Sequence, residues 1–225
     1  CEKSQTEALL KQFNIYKLRS DVEIMNLSNE FVIAAFNQEK FLEFDGAKNT
    51  PGFTIQYNED SILLDPRNEN LGARLVINLE KLYLSLKKLN LKNSNVDEYY
   101  KLSHNLGIAQ KNLNKLQNKL FGIECNFEEL NGIDFKKGCY VGQENTARIK
   151  LKNKLSKRLL PIQLVKGELN ENDLVYDGNN EIGKILIDGT YPFALIKNLN
   201  ESLIPEKKFT SKNCVLKIIK PEWLK

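Results

Sequence analysis

Histidine, methionine and tryptophan occur once each in this 225-residue chain. The lone His104 argues against a Ser/His/Asp triad and against a metal site built on imidazoles. Cysteine is sparse, at positions 1, 125, 139 and 214, with no CxxC pair and no Cys/His ligand spacing. A self-contained zinc or cluster site is therefore not expected. Scattered thiols in a chain rich in Lys, Asp and Glu suit a reducing compartment. No apolar run reaches the ~18 residues of a membrane-spanning helix, and no charged-then-apolar signal opens the chain. Phosphate-cradling GxxxxGK[ST] and GxGxxG loops are missing as well. The charge excess is slight: 33 basic against 29 acidic residues give +4. That falls well short of a nucleic-acid-binding composition, so direct nucleic-acid contact is not expected.

What is present fits an ordinary globular protein, 41% hydrophobic and 28% charged. The length allows one large or two small domains. Met25 is the only methionine, so the sequence has no initiator. Leu9, Leu10, Phe13 and Leu18 lie near helical spacing, as in the middle of a domain. The expectation is an N-terminally incomplete first domain, with a mature lipoprotein beginning at Cys1 as the rival. The abundance of Asn and Lys reads as nucleotide-composition bias.

Periodicity predicts a helix over 4–18 and strands over Asp21–Leu27, Phe31–Phe36, Phe53–Tyr57, Ser61–Leu64 and Ala73–Asn78. Residues 80–91 are ambiguous between helix and strand. Helices are predicted over Asp97–Leu106, with Asp97 near the N-cap, and over Asn112–Leu120 and Asn126–Leu130. After a Lys-rich connection at 151–158, short strands follow at Leu159–Val165, Leu174–Tyr176, Ile182–Ile187, Phe193–Ile196 and Val215–Ile219. Asp177-Gly178-Asn179-Asn180 is a hairpin signal, and the spacing indicates a small antiparallel barrel or sandwich. Gly183 and Gly189 read as barrel turns, and His104 as a surface residue of its helix.

Lys137-Gly138-Cys139-Tyr140-Val141-Gly142-Gln143-Glu144 is the most distinctive segment. Nearby cations favour a thiolate, and Lys136 and Lys137 precede the cysteine. Gly138 and Gly142 let the backbone turn sharply or approach a ligand. Cys139 thus has the setting of an accessible, reactive thiol, against the alternative of a small apolar residue in a turn.

This run, with Thr146-Ala147-Arg148 and Lys157-Arg158-Leu159 behind it, resembles the signature of the YgfZ family. These are folate-binding-like proteins that support iron–sulfur cluster maturation, paralogues of the aminomethyltransferase (T-protein) of the glycine cleavage system. Tyr16-x-Leu18-Arg19-Ser20-x-Val22, Asp65-Pro66-Arg67 with Leu71-Gly72-x-Arg74, Glu124-Cys125-Asn126 and Asn131-Gly132-Ile133-x-Phe135 resemble other family segments in the same order. The resemblance implies an α+β fold: T-protein-like folate-binding lobes over 1–153, then a small C-terminal antiparallel β-barrel over 154–225. It carries over Lys137, Gly138, Cys139, Tyr140, Gly142, Gln143, Glu144 and Arg148 as signature residues, with Cys139 as the reactive thiol. It implies tetrahydrofolate or a related folate as ligand, with Glu124 on the pterin ring; a carboxylate can accept two parallel N–H bonds there. A solvated carboxylate at a helix start is the alternative for Glu124. Arg67, Arg74 and Arg148 are candidates for the folate tail or another anion, with structural ion pairs as the alternative. Asp65 can instead cap its turn. Tyr99 or Tyr100 can stack on a ring or serve the core. Ser103 stands where many relatives carry an arginine.

The implied function is an accessory protein that assists assembly or insertion of [4Fe–4S] clusters into client enzymes. Its partners would be iron–sulfur assembly proteins and those clients. A single thiol cannot hold a cluster alone, so any cluster contact would be transient. A folate-dependent one-carbon transferase and a factor supporting tRNA modification are the alternatives. The implied location is the cytoplasm, or the mitochondrial matrix if the source is eukaryotic.

Overall fold

The structure is a computed structural model that describes residues 5–140, 142–151, 155–197 and 206–224. Cys1, Val141 and the expected 153/154 domain boundary lie outside the described residues. Helix α1 (Thr6–Tyr16) buries no side chain. A four-stranded antiparallel sheet follows, in the order β1-β4-β3-β2. Its strands are β1 (Phe31–Phe36), β2 (Thr54–Tyr57), β3 (Asp60–Leu64) and β4 (Ala73–Asn78). Alternation gives the sheet one apolar face. Ile62, Leu64, Ala73, Leu75 and Ile77 lie fully buried there against Phe41 of α2 (Gln38–Leu42) and Leu82 and Leu89 around α3 (Leu79–Lys88). Each such side chain contributes about 1.5–3 kcal/mol by leaving water.

The ambiguous stretch at 80–91 resolves as helix. Asn78 caps α3 by accepting from the Glu80 amide, and Glu80 stands in the first turn, where the helix dipole favours an acid. Asn95 caps α4 (Val96–Asn105) in the same way, so the cap lies two positions before the expected Asp97. Three expected elements differ. Residues 21–27 join no sheet ladder among the described residues, and a strand requires one. The stretch 112–120 gives only a 3-10 turn, Leu113–Leu116, because Asn112 (φ 60°) and Asn118 (φ 58°) are left-handed. Asn126 and Asn131 likewise take positive φ and break 126–130 into turns. Left-handed backbone suits asparagine better than other residues with a Cβ. Conversely, helix α5 (Gln143–Leu151) occupies the polar segment after the signature.

A closed six-stranded barrel follows, in the order β10-β5-β8-β7-β6-β9. Its strands are β5 (Lys157–Lys166), β6 (Leu174–Asp177), β7 (Asn180–Ile187), β8 (Phe193–Lys197), β9 (Lys208–Ser211) and β10 (Cys214–Ile218). Leu160, Ile162, Val175, Ile185, Ile196, Phe209 and Leu216 fill its interior. Gly183 is no turn; it lies within β7, where a Cβ would meet the Leu195 carbonyl at 2.5 Å. Strand β9 is not among the expected strands: its four residues alternate between exposed and buried, but the run is too short for that period to stand out.

The end of α4 joins the sheet lobe to the barrel. His104 is 8% exposed rather than a surface residue. Its Nε2 lies 3.0 Å from the Pro192 carbonyl, and its ring stands edge-on to Phe193. Burial pushes its pKa below the ordinary imidazole value. Trp223 Nε1 donates to the Leu106 carbonyl at 2.7 Å, and Tyr191 Oη donates to the Asp97 carboxylate at 2.7 Å.

Candidate functional site

Asp65 follows β3, and Pro66 turns the chain there. Its carboxylate is 1% exposed and is held by two arginines. Arg67 donates Nε to Oδ1 at 3.0 Å and Nη2 to Oδ2 at 2.8 Å, while the Arg67 amide donates to Oδ1 at 3.0 Å. Arg74, projecting from β4, places Nε 2.9 Å from Oδ2. Burial alone would raise the Asp65 pKa, but the bonds and charge of Arg67, with the charge of Arg74, outweigh it and hold the carboxyl below its usual range. Tyr99 on α4 brings its hydroxyl to both cations, accepting from Arg74 Nη2 at 3.0 Å and from Arg67 Nη2 at 3.3 Å. Gln110, with its amide oxygen turned toward Arg67, accepts from Nη2 at 2.8 Å and Nη1 at 2.5 Å. Each of the three Arg67 nitrogens thereby has an acceptor. Among the described residues, Arg74 Nη1 has no partner, and two cations share one carboxylate. The cluster keeps a net positive charge.

That charge faces a cleft of about 1,210 Å³ running along β1, the end of α3 and the start of α4. Leu82, Leu86, Leu91 and Val96 give it apolar walls; Arg67, Arg74, Tyr99 and Gln110 give it a polar end. Tyr100 also lines it and carries the Lys111 ammonium 5.3 Å from its ring. Apolar walls with a few convergent polar groups are the ordinary makeup of a small-molecule site.

Glu124 and the signature do not line this cleft. Glu124 is half-buried in the turns of 121–132, where Oε2 accepts from the Phe121 amide at 3.0 Å. Next to it, burial and then the Glu124 charge push the Cys125 thiol up to about 11. Asn131 Nδ2 donates to the Pro66 carbonyl at 2.8 Å and ties this loop to the arginine turn. On the other side, Leu159 of the barrel donates its amide to the Glu124 carbonyl at 2.9 Å.

Beyond Phe135 the chain opens out. Gly138, Cys139, Gly142, Glu144 and Arg148 are exposed, and nothing lies within 4 Å of where a Cβ on Gly138 or Gly142 would stand. Lys137 carries its ammonium 4.8 Å from the Tyr140 ring centroid. Gln143 then begins α5, whose Lys150 pairs with Glu128 and lies 5.4 Å over Phe135. Among the described residues, no three His, Cys, Asp or Glu side chains gather to hold a metal. No helix among them is long and apolar enough to cross a membrane.

Sequence reasoning weighed Tyr99 as a stacking ring; its hydroxyl is what the cluster uses. It missed Gln110, and it gave Asn126 and Arg158 no role at the site. These residues act across long sequence separations and leave no local pattern.

No family model matches the chain. Several known proteins do. An iron–sulfur cluster assembly factor IBA57 homolog, mitochondrial, of Dictyostelium discoideum is 28% identical over 165 residues, covering 72% of this chain and 39% of that protein. The IBA57 homolog of Mycosarcoma maydis is 30% identical over 157 residues, covering 69% and 34%. That of Aspergillus oryzae is 44% identical over a shorter span of 62 residues, 28% of this chain and 14% of that protein. The chain therefore spans well under half the length of these relatives. Among solved structures, the glycine cleavage system aminomethyltransferase T of Bartonella henselae superposes with a TM-score of 0.68 over 97% of this chain and 66% of that one, at 10% identity. This likeness establishes the fold. Homology to the IBA57 homologs and the T-protein fold are both consistent with the YgfZ-family resemblance carried by the signature.

Proposed function

We propose that this protein is a folate-binding accessory factor for iron–sulfur cluster assembly, with Cys139 as its working thiol. The observation that carries the reading is the exposed thiol of the family signature, presented on an open loop between Lys137 and α5. The names of the relatives support a role in cluster assembly, and their mitochondrial designation favours the matrix. The cleft fits a folate in its chemistry. Its apolar walls suit an aromatic body, and the unpaired Nη1 of Arg74 suits an anionic tail. Glu124, whose Oε2 caps its own loop, lies outside that cleft, so a ring N–H reaching it would have to extend beyond the cleft toward the 121–132 turns. The [4Fe–4S] cluster is cargo: one thiolate needs ligands from a carrier or client to complete the set. Assembly proteins and [4Fe–4S] enzymes are the partners this implies.

The test is complementation. Wild type and Cys139→Ala are placed in cells lacking their own YgfZ-family protein, and a [4Fe–4S] enzyme is assayed in extracts. Rescue by wild type alone is the expected result; rescue by both removes the thiol from the mechanism. The T-protein fold also favours a second reading, a folate-dependent one-carbon transferase. If neither form rescues although both are folded, that reading takes precedence, and aminomethyl transfer becomes the assay.

A further inference from the structure

We propose that Arg158 is a positioning residue: from the barrel it holds the loop of Glu124 in register for ligand. The inference rests on the folate reading above and extends it to the barrel.

Arg158 lies on β5, paired with Ile196 of β8, and its side chain is 14% exposed. It reaches out of the barrel into 121–132. Nη1 donates to Asn126 Oδ1 at 3.0 Å, and Nη2 lies 2.5 Å from Glu129 Oε1. The other edge of the Asn126 amide donates to the Leu159 carbonyl at 2.8 Å, and the Leu159 amide donates to the Glu124 carbonyl at 2.9 Å. Two neighbouring barrel residues thus grip three loop residues by four polar contacts. Asn126 is 1% exposed and left-handed, so its backbone and both amide edges are fixed together.

A stability role alone accounts poorly for this arrangement. Glu129 Oε2 is buried with no partner, so Arg158 neutralises a carboxylate only half satisfied. Replacing such a buried pair by apolar side chains is often neutral or stabilising. What the pair gives that an apolar contact cannot is direction: a planar fork sets the angle of the amide and carboxylate it binds. The loop itself is turns, with no helix or strand to hold it. Its far side reaches the arginine turn through Asn131. The clamp therefore sets where Glu124 stands relative to Arg74.

The experiment compares wild type, Arg158→Lys, Arg158→Met and the double variant Arg158→Met/Glu129→Met in the whole chain. Hydrogen exchange is read at amides 124–131, tetrahydrofolate affinity by calorimetry, and Tm by scanning. Arg158→Met is expected to speed exchange in the loop and to weaken tetrahydrofolate about tenfold, the equivalent of ~1.4 kcal/mol. Arg158→Lys, a point charge without the fork, falls between. The double variant removes the stranded carboxylate and recovers Tm, while affinity and exchange stay impaired. Recovery of all three readouts in the double variant overturns the proposal, leaving the pair merely structural. Unchanged loop exchange in Arg158→Met also overturns it. If wild type binds no tetrahydrofolate, the folate reading fails, and loop exchange still decides the clamp.

Discussion

The two turns that hold the candidate site residues are built in opposite ways. At Asp65–Arg67 a buried carboxylate, two guanidiniums, a phenol and an amide bind one another from three separate elements. At Lys137–Gly142 the residues are mostly exposed, and the glycines have open space around them. The first arrangement is fixed before any ligand arrives, as differential binding requires. The second leaves its thiol open to a large partner, which a buried thiol could not meet. Under the proposed function, the closed cluster would serve a small molecule and the open loop a macromolecule.

The strongest way to break the contrast is Asp65→Ala. It strands Arg67 and Arg74 against each other and should cost about 3–5 kcal/mol, read by urea denaturation. The same carboxylate makes a pH prediction. Its folded pKa lies below the unfolded value, so its contribution is full above the unfolded value of 3.8 and is lost as pH falls through the folded pKa. Wild type should lose stability over that acid window and Asp65→Asn should lose less; parallel curves would show that the carboxylate is uncoupled from folding.

A smaller effect sharpens the division within the cluster. Every Arg67 nitrogen has an acceptor while Arg74 Nη1 has none among the described residues, so Arg67→Gln should mainly lower Tm. Arg74→Gln should mainly weaken anion binding, by about 1–3 kcal/mol in tetrahydrofolate affinity. Equal effects of both variants on both readouts would erase the distinction. The smallest effect belongs to the open loop. Cys139→Ser should leave stability within about 0.5 kcal/mol. In a Cys1→Ser background it should also remove the fast phase of labelling by a disulfide reagent at pH 8, because the Cys125 thiol, at about 11, is nearly all protonated there and Cys214 is buried. A fast phase that survives would assign the accessible thiol to another position.

Much of this was legible in the sequence, for physical reasons. The strands at Phe31–Phe36 and Ala73–Asn78 show in their content of Val, Ile, Leu and Phe, and the Asp177–Asn180 hairpin announces itself by its turn residues. The signature is local, so its residues could be named before any fold was known. What escaped notice depends on partners far along the chain. His104 looks like a surface residue until Pro192 and Phe193 cover it. Residues 21–27 have strand composition, but composition cannot supply a neighbouring ladder. Gln110 and Arg158 gain their roles only from groups tens of residues away.

The asparagines first read as compositional noise have a consequence for how this chain tolerates change. Asn58, Asn90, Asn112, Asn118, Asn126, Asn131 and Asn172 all occupy left-handed corners that glycine usually fills. Glycine is thereby released for places where any side chain collides, as at Gly72, whose added Cβ would strike the Phe36 carbonyl. Mutational drift therefore meets three kinds of corner in this protein: those such as Asn58 and Asn90, where Asn and Gly interchange at little cost, those at Asn126 and Asn131, where the amide itself is bonded, and those where only the absence of a side chain will do.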